Sequence, residues 1–201
     1  AVPIIMISAL TTDGARTTFD AFKYGAIDVV AKPSRRDDTS LEVQKADIIS
    51  KVKRAARVSP GRLRYIRVSN VASETPPLPL GPADSSSRFI ALGAGTGGHY
   101  ALLRVLPGLP AGFQGVVIIV VLMARRYLDP FVVFLASHCA GPVNVAADGV
   151  LVERGVAYIC AGHEGLIVRK RRDGKMEFHK TATEEESALG KEGSVNLMFK
   201  S

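Results

Sequence analysis

The chain runs in two rhythms of hydrophobic and polar positions, and each rhythm predicts an element. Nearly continuous apolar runs occur at Val2–Ile7, within Gly25–Pro33, at Phe89–Leu92 and at Val116–Met123. Short apolar runs of this kind read as strands, and Val2–Ile7 and Val116–Met123, rich in β-branched residues, read as strands buried on both faces, as in parallel sheets. Between them the spacing turns helical over Gly14–Tyr24, Leu41–Ala56 and Tyr100–Leu106. In the second of these, Val43, Ala46, Ile49, Val52 and Ala56 form the predicted apolar stripe. The alternation of strand and helix predicts an α/β fold with crossover helices. After Pro142 shorter strands are expected at Val143–Ala146, Val156–Ile159, Leu166–Arg169 and Met176–Lys180, with Asp173-Gly174 as a hairpin turn. Residues 59–87 read as a linker, because the prolines between Ser73 and Pro82 admit neither a helix nor an inner strand. Glu184-Glu185-Glu186 reads as part of a polar loop, and no internal repeat is present.

Gly93-Ala94-Gly95-Thr96-Gly97-Gly98 lies between a predicted strand and a predicted helix. Such a turn gathers backbone N–H groups and a helix N-terminus around one point, which suits an anion or a developing oxyanion. Taken literally, Gly93, Gly95 and Gly98 also fit the dinucleotide fingerprint. Arg125-Arg126, near the end of the next strand, would then favour the 2′-phosphate of NADP. A bare fingerprint of this kind is a weak signal, and NADP binding stands as one alternative reading, with a fragment without a function of its own as the other.

With its flanks, the same segment resembles the nucleophile turn of the chemotaxis protein-glutamate methylesterases, the CheB family, written G-A-S-T-G-G. The likeness continues through Leu103–Phe113, Val116–Met123, Ala147-Asp148-Gly149, Gly155–Gly162 and Gly193–Ser201. In the family the serine of the turn is the nucleophile, and a histidine just before the methionine that ends the next strand is the general base. Those positions are Gly95 and Leu122 here, followed by Met123. The family's third catalytic residue, an aspartate, falls beyond Ser201. The resemblance therefore implies an esterase scaffold with no intact catalytic residue, whose cleft retains Gly93, Thr96, Gly97, Gly98 and Met123. Ser-His-Asp acyl transfer needs a nucleophile within reach of an oriented base, so this chain is expected to be inactive.

The N-terminal part resembles the second half of a receiver domain. Ser8 occupies the position of a small hydroxyl residue, and Lys32-Pro33 matches the receiver's Lys-Pro signature. The strands that would carry the receiver's carboxylates are not in this sequence, so phosphorylation is not expected. The implied organisation is a partial, flavodoxin-like receiver segment at 1–58, a linker at 59–87, and a truncated, doubly wound, mainly parallel-sheet methylesterase-like domain at 88–201. The resemblance implies chemoreceptor cytoplasmic tails or chemotaxis kinase components as partners, and phosphorelay signalling in the cytoplasm. No cofactor is implied.

Composition narrows the picture further. The chain has 201 residues, 47% of them hydrophobic, enough to build a core. No apolar run approaches the roughly 20 residues that span a bilayer, and Val2–Leu10 lacks a basic leader, so neither membrane insertion nor a secretory signal is expected. Net charge is +7. Its sources are the run Lys51, Lys53, Arg54, Arg57, Arg62, Arg64, Arg67 and the cluster Arg169–Lys175. Without stacking aromatics these read as a solvated helix face and a solvated hairpin tip, with no specific nucleic-acid partner. The two cysteines, Cys139 and Cys160, are expected to be reduced and inert, and a Cys160–His163 nucleophile pair is disfavoured by the apolar strand around Cys160. His99, His138, His163 and His179 show no metal-ligand spacing, and His99 is expected to be partly exposed at the start of its helix. Incomplete sheets with exposed faces predict self-association.

Overall fold

The computed structural model describes residues 2–8, 12–32, 41–59, 80–123, 125–162, 164–181, 195–196 and 198–199. The expectations for His163, for Glu184–Glu186, for Arg62, Arg64 and Arg67 and for most of the proline-rich stretch lie outside the described residues.

Strand β1 (Ile4–Ser8) leads through helix α1 (Thr12–Lys23) to β2 (Ala26–Ala31), and α2 (Leu41–Ala55) follows. The two strands form a parallel pair. The larger unit begins with β3 (Phe89–Ala94), α3 (Gly98–Val105) and a 3₁₀ turn at Leu106–Gly108. It continues through β4 (Val116–Val121), α4 (Leu128–Ala136), β5 (Val143–Val145) and β6 (Ala157–Ala161). These strands make a four-stranded sheet in the order β3-β4-β6-β5. All of its pairings are parallel. The fold is thus α/β with a parallel sheet, as the alternation of runs implies. Strands β7 (Leu166–Lys170) and β8 (Met176–Lys180) form an antiparallel hairpin. Asp173-Gly174 turns it, with Gly174 at φ +85, a conformation that suits glycine.

Strand β4 explains the layering. All six of its residues are buried, and their side chains alternate between two cores. Val117, Ile119 and Val121 join Leu103, Leu128, Phe131 and Leu135 beneath the helices. Val116, Ile118 and Val120 join Val152, Tyr158, Leu166 and Phe178 on the hairpin side. Within the expected linker, Leu80 and Ala83 donate backbone hydrogen bonds to the carbonyls of Arg154 and Val152, and Ala83 is fully buried.

The first unit is joined to the helical face of the sheet. Phe19 and Phe22 of α1 belong to the same core as α3 and α4. The ring of Phe19 lies 5.3 Å from Phe131 and 5.7 Å from Phe134.

Two expectations about this unit need correction. The run at Val2–Ile7 is not buried on both faces, since Ile4 and Ile7 are more than half exposed beside an open groove lined by Ile5, Val30, Ile48 and Val52. The buried stripe of α2 is also rotated from the expected one. Ile49 and Val52 face outward, while Ile48, Lys51 and Ala55 turn inward. The cause is polar, because Lys51 reaches a buried carboxylate on β2.

Replacing Ile119 in the centre of β4 with alanine is expected to cost about 2–5 kcal/mol in urea denaturation, whereas Val133→Ala on the outer side of α4 should stay within about 0.5 kcal/mol.

Candidate functional site

The glycine turn sits at the C-terminal end of β3, where open parallel sheets place their ligand crevices. Gly97 takes the left-handed conformation, φ 82 and ψ −11, and begins α3. The N–H of Gly98 donates to the carbonyl of Gly95 at 2.8 Å, which tightens the turn. A Cβ on Gly98 would lie 2.7 Å from Cβ of Ala94, so helix and strand approach to a distance that only glycine permits there.

The end of β4 lies alongside. Leu122 donates its N–H to Ala94 at 2.9 Å, which fixes it beside the turn. A Cβ at Gly95 would stand 3.7 Å from Cδ1 of Leu122, an ordinary contact. A Cβ at Gly162 would stand 2.5 Å from Cδ2 of the same leucine. Leu122 therefore fills the space between Gly95 and Gly162, and Met123 behind it is buried. Gly93 faces Val195, and Thr96 is half-buried in the turn.

The turn departs from an open anion cradle. The N–H of Gly97 donates at 2.9 Å to the carbonyl of Ile27 on β2. Two of the amides that could cradle an anion, those of Gly97 and Gly98, thus already have protein acceptors.

His99 also departs from expectation, being 1% exposed rather than partly exposed. Phe22 stacks on its ring at 5.2 Å with planes 9° apart, and Phe131 meets it edge-on at 5.4 Å. Burial is the main cause that holds the imidazole down at about 4, and Lys51 acts in the same direction, while Asp28 opposes both.

The remaining candidates separate. At the ends of β1 and β2, the Lys32 N–H donates to the Ser8 carbonyl at 2.8 Å, and Thr18 donates its hydroxyl to Ser8 Oγ at 2.8 Å. Arg125 pairs with Asp129 at 3.1 Å and with Glu164 at 3.0 Å, and Arg126 lies over the Tyr127 ring. The thiol of Cys160 donates to the Ile119 carbonyl inside the core and is pushed up to about 12, chiefly by burial. Burial pushes Cys139 up to about 12 as well. His138 is buried with its Nδ1 2.7 Å from the Phe134 carbonyl. His179 lies 3.7 Å from Asp148. Among the described residues no cluster of His, Cys, Asp and Glu could hold a metal ion.

Sequence reasoning missed the buried pair of Asp28 and Lys51, 3.5 Å apart, with Lys51 also donating to the Val29 carbonyl at 2.7 Å. The signal was available as a lone carboxylate within the apolar strand Ala26–Ala31.

The family model described as CheB methylesterase matches residues 90–201, more than half of the chain. The chain belongs to the CheB methylesterase family. It is 36% identical to a protein-glutamate methylesterase/protein-glutamine glutaminase from Koribacter versatilis, over 99% of this chain and 55% of the relative. A protein of the same description from Pyrococcus abyssi is 36% identical over 85% of this chain and 46% of its own length. The solved CheB methylesterase catalytic domain of Thermotoga maritima shares 26% identity, with a TM-score of 0.42, over 47% of this chain and 49% of that one. The chain spans about half the length of the curated relatives it matches. Membership in the CheB family does not favour the dinucleotide alternative. No helix among the described residues is long and apolar enough to cross a membrane.

Both thiols of the folded chain are expected to resist an aromatic disulfide reagent at about pH 8 and to react within minutes once the chain is unfolded in denaturant. Thiol counting before and after denaturation checks this.

Proposed function

We propose that this chain keeps the CheB scaffold without its ester hydrolysis and acts by binding. The observation that carries this reading is the pairing of Gly95 with Leu122. They stand side by side at the ends of adjacent strands, where the family resemblance calls for a serine and a histidine. A hydrogen and an isobutyl group can neither attack an ester carbonyl nor move a proton. The other nucleophilic candidate, Cys160, is held in the core as a neutral thiol. Losing members of a catalytic set costs many powers of ten in rate.

The relatives' names point to methylated or amidated glutamyl side chains on a protein as the ligand class. By the same resemblance the partners are chemoreceptor cytoplasmic tails, the compartment is the cytoplasm, and the Ser8–Lys32 end of the small sheet is receiver-like. The proposed division is a receiver-like segment at 1–58, a linker at 59–87 and a methylesterase-like domain at 88–201, with self-association covering the exposed sheet edges.

Methanol release from a methylated chemoreceptor fragment is the direct test. The expected rate is at least about 10⁴-fold below that of a family member with serine and histidine at these positions. A comparable rate would overturn the reading. Titration of the same fragment is expected to show saturable binding, and its absence would remove the binding role. Gly95→Ser alone is expected to remain inactive, because the new hydroxyl faces a leucine and has no base.

A further inference from the structure

We propose that the seam between the α1–β2 unit and the glycine turn is acid-labile, because His99 can take a proton only when the seam opens. The seam consists of the Phe22 ring stacked on His99, the Phe131 edge against it, and the hydrogen bond from the Gly97 N–H to the Ile27 carbonyl. Among the described residues, neither nitrogen of the His99 ring has a hydrogen-bond partner. A neutral imidazole can be held between two phenyl rings at modest cost. An imidazolium there would have two N–H donors and a charge with no acceptor, which a buried apolar site penalises heavily.

Among the described residues, the charged groups around the seam do not relieve this. Asp28 on β2 favours the imidazolium, but it is already engaged by Lys51 on α2 at 3.5 Å, and Lys51 repels a second cation. On α1, Asp20 and Lys23 pair with each other at 2.8 Å. On α4, Asp129 pairs with Arg125, and His138 packs on Phe134 at the far end of the helix. On α3 itself, Arg104 is exposed and adds a further positive charge.

The sign follows from proton counting. The closed seam holds His99 down at about 4, and an opened seam returns it to its ordinary value of 6.5. The open form binds more protons, so opening is favoured as pH falls below 6.5, and the effect levels off below about 4. Between about pH 7.5 and 5.5 the ratio of closed to open chains should fall about tenfold. The same opening releases the Gly97 amide at the glycine turn.

Hydrogen exchange on the intact chain tests this, with protection of Phe19–Val30 and of the Gly97 amide measured at both pH values against the unprotected rate. The expected result is a roughly tenfold loss of protection at the lower pH in the unaltered chain and none in His99→Phe. No loss in the unaltered chain, or an equal loss in the variant, overturns the proposal. Should the variant fail to fold, a nuclear magnetic resonance titration of His99 in the unaltered chain decides the matter. Depression well below the ordinary value while the seam stays protected supports the proposal, and titration near 6.5 with the seam still protected overturns it.

Discussion

Everything in this structure depends on β4 being buried on both of its faces. Six consecutive side chains without one polar atom leave that strand no stable place except the interior of a sheet with layers above and below. The helices α3 and α4 supply one layer, while the β7–β8 hairpin and the Leu80–Ala83 segment supply the other. The glycine turn and Leu122 then lie where they do because they are the C-terminal continuations of β3 and β4 in register, Gly93 opposite Val120 and Ala94 opposite Val121.

The second organising contact is aromatic. Phe19 and Phe22 project from α1 into a cluster made by His99, Tyr127, Phe131 and Phe134. These rings turn two sequence-distant units into one core, and the backbone bond from Gly97 to Ile27 aligns them. The site of interest is therefore shaped as much by a carbonyl from β2 as by its own loop. The geometry of the glycine turn and the unit that covers it cannot be treated separately.

Much of this was legible in the sequence wherever local pattern decides structure. The apolar run of β4, the Asp173-Gly174 turn and the strand-turn-helix around Gly95 each carry their own signal. What was not legible depends on partners distant in the chain. The stripe of α2 was misread because Lys51 looks like a surface residue until Asp28, 23 positions earlier, is seen to lie beneath it. His99 looked exposed because nothing near it in sequence announces that Phe22 will stack on it. The contact of Leu122 with Gly162 joins two segments that no spacing rule connects.

The strand order β3-β4-β6-β5 has a consequence for the growing chain. Strand β5 is synthesised before β6 yet lies outside it, so β5 has no position to occupy until its successor has entered the sheet. Strand β4 must wait as well, since Ile119 meets Cys160, which lies 41 residues further on. At ordinary synthesis rates of about 5–20 residues per second, that leaves the most hydrophobic strand half-covered for about 2–8 s. The hairpin β7–β8 closes locally and waits for nothing. The part of this protein most in need of protection during its making is thus the part that, once made, is best hidden.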